Sequence, residues 1–225
     1  SVPGAREYTT PVKPVASLWR RWQALCSRVT DREGGDVSDA ALQVAVVGGG
    51  AGSVELVLAM STTMAKAMAK AGHLQGVSVG FTLWAASREI LPGYSSSARS
   101  SVLHALHKHG IKVRCNSRVH AVTAKTLTLE GGEEHAVDEV FWCTGAAAAG
   151  WVAASGLPTD AAGFLQVSDT LQSPGDGRVF GVGDIATQIN HARPKAGVFA
   201  VRQAPVLAHN LRAYFLGKGL REHRP

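Results

Sequence analysis

Cysteine is scarce in this chain of 225 residues. The three cysteines, Cys26, Cys115 and Cys143, lie far apart and form no C-x-x-C pair, so we expect neither a disulfide framework nor a redox-active dithiol. Long apolar runs are also missing, since none reaches the ~20 residues that a membrane-spanning helix needs. Membrane attachment is therefore not supported. No signal or transit peptide is visible, which leaves the compartment open.

Acidic residues are fewer than basic ones, and the formal net charge is +6 with a pI near 9.5. Such a charge can mark a nucleic-acid or membrane surface. No basic run with interleaved aromatic residues supports a nucleic-acid partner, so a basic protein that binds anionic cofactors is the favoured interpretation. With 45% hydrophobic residues and 25 glycines, the composition is typical of an α/β protein of one or two domains.

The most informative stretch is rich in glycine. An apolar run, Val44–Val47, leads into Gly48, Gly49, Gly50, Ala51 and Gly52. A helical pattern follows from Ser53 to about Ala71. In such a strand–turn–helix the first glycine permits a tight turn and the second lets the backbone approach a dinucleotide pyrophosphate. The helix start offers free N–H groups to the anion. The alternative is a glycine-rich turn that binds no ligand.

Short apolar runs alternate with helical patterns over residues 42–145, which predicts a parallel sheet flanked by helices. The predicted strands are Val44–Val47, Val77–Trp84, Ile111–Arg114 and Val140–Cys143, and the predicted helices are Ser53–Ala71 and Ser97–Gly110. Residues 120–138 predict a small β-meander. We expect Val44–Val47 to lie inside the sheet rather than at its edge.

The flanking segments have different patterns. Residues 1–40 predict a connector and a helix over Ala16–Val29, followed by a polar loop from Asp31 to Asp39. Residues 146–225 predict short strands, including Arg178–Gly181, which leads into a second motif, Gly183-Asp184. A helix is predicted from Ala196 to about Leu216, in which Pro205 forces a kink or a fresh start.

Histidines at positions 104, 107 and 109 raise the question of a metal site. His104 and His107 share a helix face, but no cysteine or carboxylate joins them at ligand spacing. Structural and catalytic metal sites need three or four ligands. A solvated helix face is the better interpretation, and no metal is predicted.

These segments together resemble a known family. The matching stretches are Val46–Glu55, Ile90–Pro92, Gly110-Ile111, Cys143–Gly145, Gly163–Leu165 and Val179–Asp184. The whole chain resembles the pyridine nucleotide–disulfide oxidoreductase superfamily, in its branch of type II NADH dehydrogenases and related flavoproteins. It is most similar there to the oxidoreductase module fused ahead of selenide, water dikinase.

The resemblance implies roles for particular residues. Gly48, Gly50 and Gly52 would hold the nicotinamide dinucleotide pyrophosphate, and Glu55 matches a glutamate near the nicotinamide and the flavin. Thr144 and Gly145 match the turn where the two cofactor domains touch. Asp184, after Gly183, would accept a hydrogen bond from a ribityl hydroxyl of FAD. Lys195 and Gln203 match positions near the isoalloxazine or the second substrate. Simpler alternatives are a helix cap for Asp184, a favourable helix-dipole position for Glu55 and a surface position for Lys195.

Four departures from the family pattern accompany this resemblance. The N-terminal βαβ unit that holds the FAD pyrophosphate is absent, so we expect a missing FAD-binding segment or fused domain. The residue after strand Gly80–Trp84, which is acidic in NAD-binding proteins, is Ala85. Ser87 and Arg88 nearby could bind a 2′-phosphate, which slightly favours NADP, whereas the alternative is a solvated Arg88, so the choice between NADH and NADPH stays open. The usual alanine of the Ala-Thr-Gly turn is Cys143, and the third glycine of the first motif is Ser53.

The predicted fold class is α/β, a two-dinucleotide-binding (Rossmann-like) flavoprotein fold. It would comprise a connector and helix on the FAD side (1–40), a complete NAD(P)-binding domain (41–145) and the C-terminal half of an FAD-binding domain (146–225). The predicted activity is hydride transfer from NAD(P)H to FAD and on to an unknown acceptor. Two alternatives remain at this point: a catalytically silent structural subunit, and a quinone reductase attached peripherally to a membrane.

Overall fold

The computed structural model describes residues 2–31, 41–72, 78–145, 148–193 and 195–224. The chain divides into two compact units, residues 1–144 and 145–225. The elements of the first unit are α1 (Ala5–Tyr8), β1 (Thr10–Pro11), α2 (Val15–Thr30), β2 (Leu42–Val47), α3 (Ala51–Lys70), β3 (Val79–Trp84), α4 (Ser96–Lys108), β4 (Lys112–Arg114), β5 (Val119–Val122), β6 (Thr126–Leu129), β7 (Glu134–Ala136) and β8 (Glu139–Trp142). The predicted start of a strand at Val77 and the predicted loop from residue 32 onward lie outside the described residues.

A five-stranded parallel sheet forms the centre of the first unit. Its order is β1-β8-β2-β3-β4, and every neighbouring pair is parallel. The four predicted strands and the interior position of β2 are confirmed. The two-residue strand β1, which pairs Thr10 with Phe141, was not predicted from the sequence.

The two faces of this sheet are covered differently. Val44 and Val46 of β2 point into a core with residues of α2, α3 and α4. Ala45 and Val47 point the other way, into a second core with residues of β5 and β6 and with Val137, which follows β7. Because side chains alternate along a strand, the buried run of β2 has a helical layer on one side and the predicted three-stranded meander on the other.

Helix α2 lies within the first unit, and the placement of residues 1–40 on the FAD side stays a prediction. Its buried residues Trp22, Leu25 and Val29 join the helix-side core. Arg21 Nε and Arg28 also bind the two carboxylate oxygens of Glu139, at 2.7 and 2.5 Å. Glu139 is only 5% exposed, and a carboxylate buried to that extent requires such partners.

The second unit is smaller and its strands are short. Its elements are α5 (Gly150–Ala154), β9 (Leu165–Val167), β10 (Gln172–Ser173), β11 (Asp176–Phe180), a 3-10 turn (Gly183–Ile185), β12 (Ala186–Gln188) and α6 (Gly197–Phe215). Strand β9 pairs parallel with β12, and β10 pairs antiparallel with β11. A small core of Val152, Leu165, Val167 and Ala186 lies beneath them.

Helix α6 continues through Pro205 without a fresh start, which leaves a kink as the open half of the expectation for this proline. Pro205 is exposed, so water can satisfy the carbonyl whose helical hydrogen bond the proline removes. Gly183 begins a 3-10 turn that leads into β12, and α6 begins at Gly197, close to the predicted start at Ala196. Among the described helices, none is both long and apolar enough to cross a membrane.

Candidate functional site

The glycine-rich turn lies at the carboxyl end of β2, in the interior of the parallel sheet. Gly48 has a φ of +145°, and a Cβ there would collide with the carbonyl oxygen of Cys143 and lie 2.9 Å from its carbonyl carbon. Its N–H donates to Trp84 O at 2.8 Å. Gly48 is therefore required by the close approach of the ends of β2, β3 and β8.

Gly50 differs from Gly48 in its surroundings. It lies in extended backbone as the N-cap of α3, where no described side chain caps the helix. A Cβ on Gly50 would meet no described atom within 4 Å. The turn thus leaves open space beside an uncapped helix N-terminus, which carries unpaired N–H groups and a positive partial charge.

Ser53 occupies the position of the third glycine without disturbing the turn. Its side chain is fully buried, and Oγ donates to the carbonyl oxygen of Gly50 at 2.7 Å. The hydroxyl is therefore satisfied within the turn that it follows. This substitution is compatible with close packing of α3 on the sheet.

The segment after β3 lies next to the glycine turn. Ala85 is fully buried, Ser87 is half-buried and Arg88 is exposed. A Cβ on Gly49 would lie 3.0 Å from Ala85 Cβ and 3.2 Å from Ser87 Oγ. Ser87 Oγ donates to Glu89 O at 2.7 Å. Across the described part of the chain, the Arg88 guanidinium has no ion pair or side-chain hydrogen bond.

The remaining predicted residues of this region are Glu55, Thr144 and Gly145, and Gly145 is the first residue of the second unit. Cys143 and Thr144 follow β8, and Cys143 Sγ is 3.8 Å from the position of a Cβ on Gly52. Burial raises the pKa of the Cys143 thiol, which favours the unreactive protonated form. Glu55 is exposed on α3, and Thr144 and Gly145 are also exposed.

The second unit contains the Gly183-Asp184 motif in its 3-10 turn. Gly183 has a φ of +67°, and its N–H donates to Gln203 Oε1 at 2.7 Å. A Cβ on Gly183 would lie 2.9 Å from Ala200 Cβ, so the turn packs closely against α6. Asp184 is partly exposed. Gln203, on α6, therefore fixes the backbone of the motif that the sequence singled out.

Lys195 is held by the strand that follows this turn. Its Nζ donates to Ala186 O at 2.6 Å and to Thr187 Oγ1 at 2.8 Å, and it lies 4.1 Å from the centre of the Phe164 ring. Burial lowers the pKa of Lys195. Two of the three Nζ hydrogens are donated to residues of β12, so these contacts favour a role for Lys195 in positioning that strand. A catalytic role for Lys195 stays a prediction.

The sequence analysis missed Asp160, which completes this network. Its Oδ2 accepts from Thr187 Oγ1 at 2.6 Å, and its Oδ1 accepts from the N–H groups of Ala162 and Phe164. Asp160 precedes Gly163, whose φ is +85°. An aspartate shortly before such a glycine is a recognisable turn signal, although nothing in the sequence linked it to Thr187.

The predicted site residues thus fall into two groups, one in each unit. Gly183, Lys195 and Gln203 line a common cavity of about 20 Å³, enough for roughly one water molecule. In the first unit the glycine turn, Ser87 and the end of β8 lie together at the carboxyl end of the parallel sheet. Within the described ranges, no three His, Cys, Asp or Glu side chains are grouped so that they could hold a metal ion.

Comparison with known proteins gives consistent matches. The family model for pyridine nucleotide-disulphide oxidoreductases matches residues 3–204. The chain is 28% identical to a type II NADH:quinone oxidoreductase of Haemophilus influenzae over 194 residues, which are 84% of this chain and 44% of that protein. It is 30% identical to an NADH dehydrogenase-like protein of Mycobacterium tuberculosis, over 68% of this chain and 38% of that protein.

Solved structures share the fold. A water-forming NADH oxidase from Lactobacillus brevis bound to NADH matches with a TM-score of 0.65 and 21% identity, over 94% of this chain and 43% of the other. An engineered NADPH oxidase made from it, bound to NADPH, matches with a TM-score of 0.66 and 20% identity, over 99% and 44%. The chain spans less than half the length of each of these proteins. The extent of the family match establishes that this chain belongs to the pyridine nucleotide-disulphide oxidoreductase family.

Proposed function

We propose that this chain is part of an FAD-dependent NAD(P)H oxidoreductase, in which the first unit binds the nicotinamide dinucleotide. The observation that carries this proposal is the open space beside Gly50 at the uncapped N-terminus of α3. That arrangement lies at the carboxyl end of an interior parallel strand, where open α/β sheets bind their ligands. The relatives' names, which include NADH oxidoreductases, support the same assignment.

The residues of the turn have separate tasks in this proposal. Gly48 lets the chain turn tightly past Cys143, so that α3 starts shortly after β2, at the carboxyl end of the sheet. The absence of a side chain at Gly50 keeps room for the pyrophosphate, which the first N–H groups of α3 would bind. When bound, the nicotinamide supplies the hydride and the flavin accepts it. Glu55, exposed on α3, would lie near the reacting ring.

NADPH is the proposed form of the nicotinamide cofactor. The position where NAD-binding proteins carry an acidic residue for the ribose is the fully buried Ala85. Arg88 is exposed and its guanidinium has no partner among the described side chains, so it is available to a 2′-phosphate. The engineered NADPH oxidase described above carries, among other changes, an aspartate-to-alanine replacement and introduced arginine and serine residues. This chain has two alanines, a serine and an arginine after β3.

The flavin is assigned to the second unit. Gly183 and Asp184 follow β11, and Gln203 holds the Gly183 amide in place. Asp184, whose side chain is partly exposed, would accept a hydrogen bond from a ribityl hydroxyl. Lys195, Thr187 and Asp160 would keep β12 in position beside the motif. Because these residues contact only part of a dinucleotide, the chain by itself is expected not to retain FAD.

The substitution Gly50→Val tests the nicotinamide site. The extended backbone and open surroundings of Gly50 accept a valine without strain, but its side chain fills the space that the pyrophosphate needs. We expect calorimetry of the full chain to show NADPH binding that is lost in this variant. Gly131→Val, in the turn between β6 and β7, is the matched control, because Gly131 also has open surroundings.

The outcomes separate the proposal from its alternatives. Equal NADPH affinity in Gly50→Val and the parent chain would overturn the assignment of the turn. Absence of any NADPH or NADH binding by the folded parent chain would favour a silent structural subunit. A chain purified with stoichiometric FAD, visible in its absorption spectrum, would contradict the proposed division of the flavin site.

A further inference from the structure

A cavity of about 330 Å³ lies on the meander side of the first unit's sheet, at the lower end of the ~300–1,000 Å³ range of small-molecule sites. Side chains from β2, β3, β4 and β7 line it, notably Gln43, Thr82, Trp84, Lys112, Arg114 and His135. Trp84 belongs to the meander-side core, whereas α3 packs on the opposite face. The cavity is therefore distinct from the glycine turn.

The lining of this cavity is cationic. Lys112 and Arg114 are two residues apart on β4, so their side chains lie on the same face of the sheet, and both are exposed. Neither has an ion pair or a side-chain hydrogen bond among the residues that the structure describes. No aspartate or glutamate of those residues lines the cavity. Two carboxylates contact residues of the lining: Glu133 Oε1 lies 3.1 Å from His135 Nε2, and Asp138 Oδ2 accepts from the Gln43 N–H at 2.9 Å.

The buried indole of Trp84 also lines the cavity. Trp84 is 4% exposed, and its indole Nε1 is buried without a hydrogen-bond partner among the described residues. Its ring centre is 4.5 Å from that of His135, with the planes tilted by 49°. Buried donors are normally paired, so this N–H points to an acceptor supplied from outside the chain.

A simpler role for Lys112 and Arg114 is to prevent the exposed edge of the sheet from pairing with another chain. Strand β4 is the last strand of the sheet, and charged residues on edge strands prevent pairing with other chains. That role explains Lys112 and Arg114 but leaves the cavity and the unpaired indole N–H of Trp84 without a function.

We propose that this cavity binds a small organic anion, with a carboxylate or phosphate group between Lys112 and Arg114 and its body against the Trp84 indole. Arginine and lysine are the side chains that bind such groups most strongly. An oxygen of the charged group is also the acceptor that we propose for the unpaired Trp84 N–H. The inference goes beyond the proposed oxidoreductase function, because the cavity and the glycine turn lie on different parts of the first unit.

Nitrogen-15 correlation spectra of the full chain provide the test, because the indole N–H of Trp84 gives its own signal, assigned with Trp84→Phe. The probes are benzoate and phenyl phosphate, and benzyl alcohol serves as the uncharged control. We expect a saturable shift of the Trp84 signal with at least one anion and none with benzyl alcohol. The anion that shifts the signal more strongly identifies the preferred charged group.

Variants connect the shift to the two basic residues. The double change Lys112→Gln and Arg114→Gln alters exposed side chains and is expected to weaken the response by about tenfold or more, since each lost contact is a charge-assisted hydrogen bond. Lys108→Gln, an exposed lysine on α4, should leave it unchanged. The shift should also persist in Gly50→Val, which separates it from dinucleotide binding. No saturable shift, or an equal shift in the double variant, would overturn the proposal.

Discussion

Gly48 and Gly50 stand two residues apart in the same turn, and the structure predicts opposite costs for giving each a side chain. In Gly48→Ala, the φ of +145° is one that L-residues rarely adopt, at a cost of about 1–3 kcal/mol. The new Cβ would also overlap the Cys143 carbonyl oxygen. Because that oxygen belongs to the backbone at the end of β8, relief requires a shift of the strand, at about 1–3 kcal/mol for overpacking.

The sum for Gly48→Ala is about 2–6 kcal/mol, a large part of the roughly 5–15 kcal/mol that stabilises a typical domain. Gly50→Ala meets no described atom within 4 Å and needs no change of backbone. Its expected cost is at most about 1 kcal/mol, since glycine is moderately better than alanine at a helix N-cap.

Urea unfolding followed by tryptophan fluorescence measures this difference. Trp19, Trp22, Trp84 and Trp142 lie in the first unit and only Trp151 lies in the second, so the signal reports mainly on the unit that contains the turn. The two units can unfold separately, and the first-unit transition is the one to compare. A cost of under about 1 kcal/mol for Gly48→Ala, or equal destabilisation of the two alanine variants, would contradict the steric role assigned to Gly48.

Three further predictions concern the cofactor sites and one ion pair. In calorimetry, Arg88→Ala should weaken NADPH binding roughly 10–100-fold, as expected for a lost charged hydrogen bond, and leave NADH binding unchanged. Equal losses for both cofactors would show that Arg88 does not select NADPH over NADH. Gln203→Leu leaves the Gly183 N–H without its acceptor, so hydrogen exchange at that amide should accelerate, whereas Gln203→Glu, which retains an acceptor, should keep it slow. Hydrogen bonds from Arg178 lower the pKa of Asp176 from 3.8 to about 2, so their contribution to stability is present above pH ~4 and lost as the pH falls towards 2. An NMR titration of Asp176 should move back towards its ordinary midpoint in Arg178→Gln, and an unchanged midpoint would contradict the assignment of the cause.

Much of the first unit could be predicted from the sequence because its signals are local. The apolar run Val44–Val47 followed by three glycines predicts a buried strand and a tight turn, and its first position, Gly48, has a φ that other residues rarely adopt. The alternation of strand and helix patterns then restricts the topology to a parallel sheet. The same reasoning failed for β1, because two residues such as Thr10 and Pro11 carry no periodic signal.

The sequence by itself therefore determined the fold class, the glycine turn and the family to which the chain belongs, because each depends on short patterns of neighbouring residues. Only the tertiary structure decided which glycine is sterically required and which leaves open space, since that depends on the Cys143 carbonyl some ninety-five residues away. It also placed α2 with the first unit through Glu139, tied Lys195 to Thr187 and Asp160, and gathered Trp84, Lys112 and Arg114 around one cavity. Contacts between residues distant in sequence form only when the strands pair, and no local pattern records them.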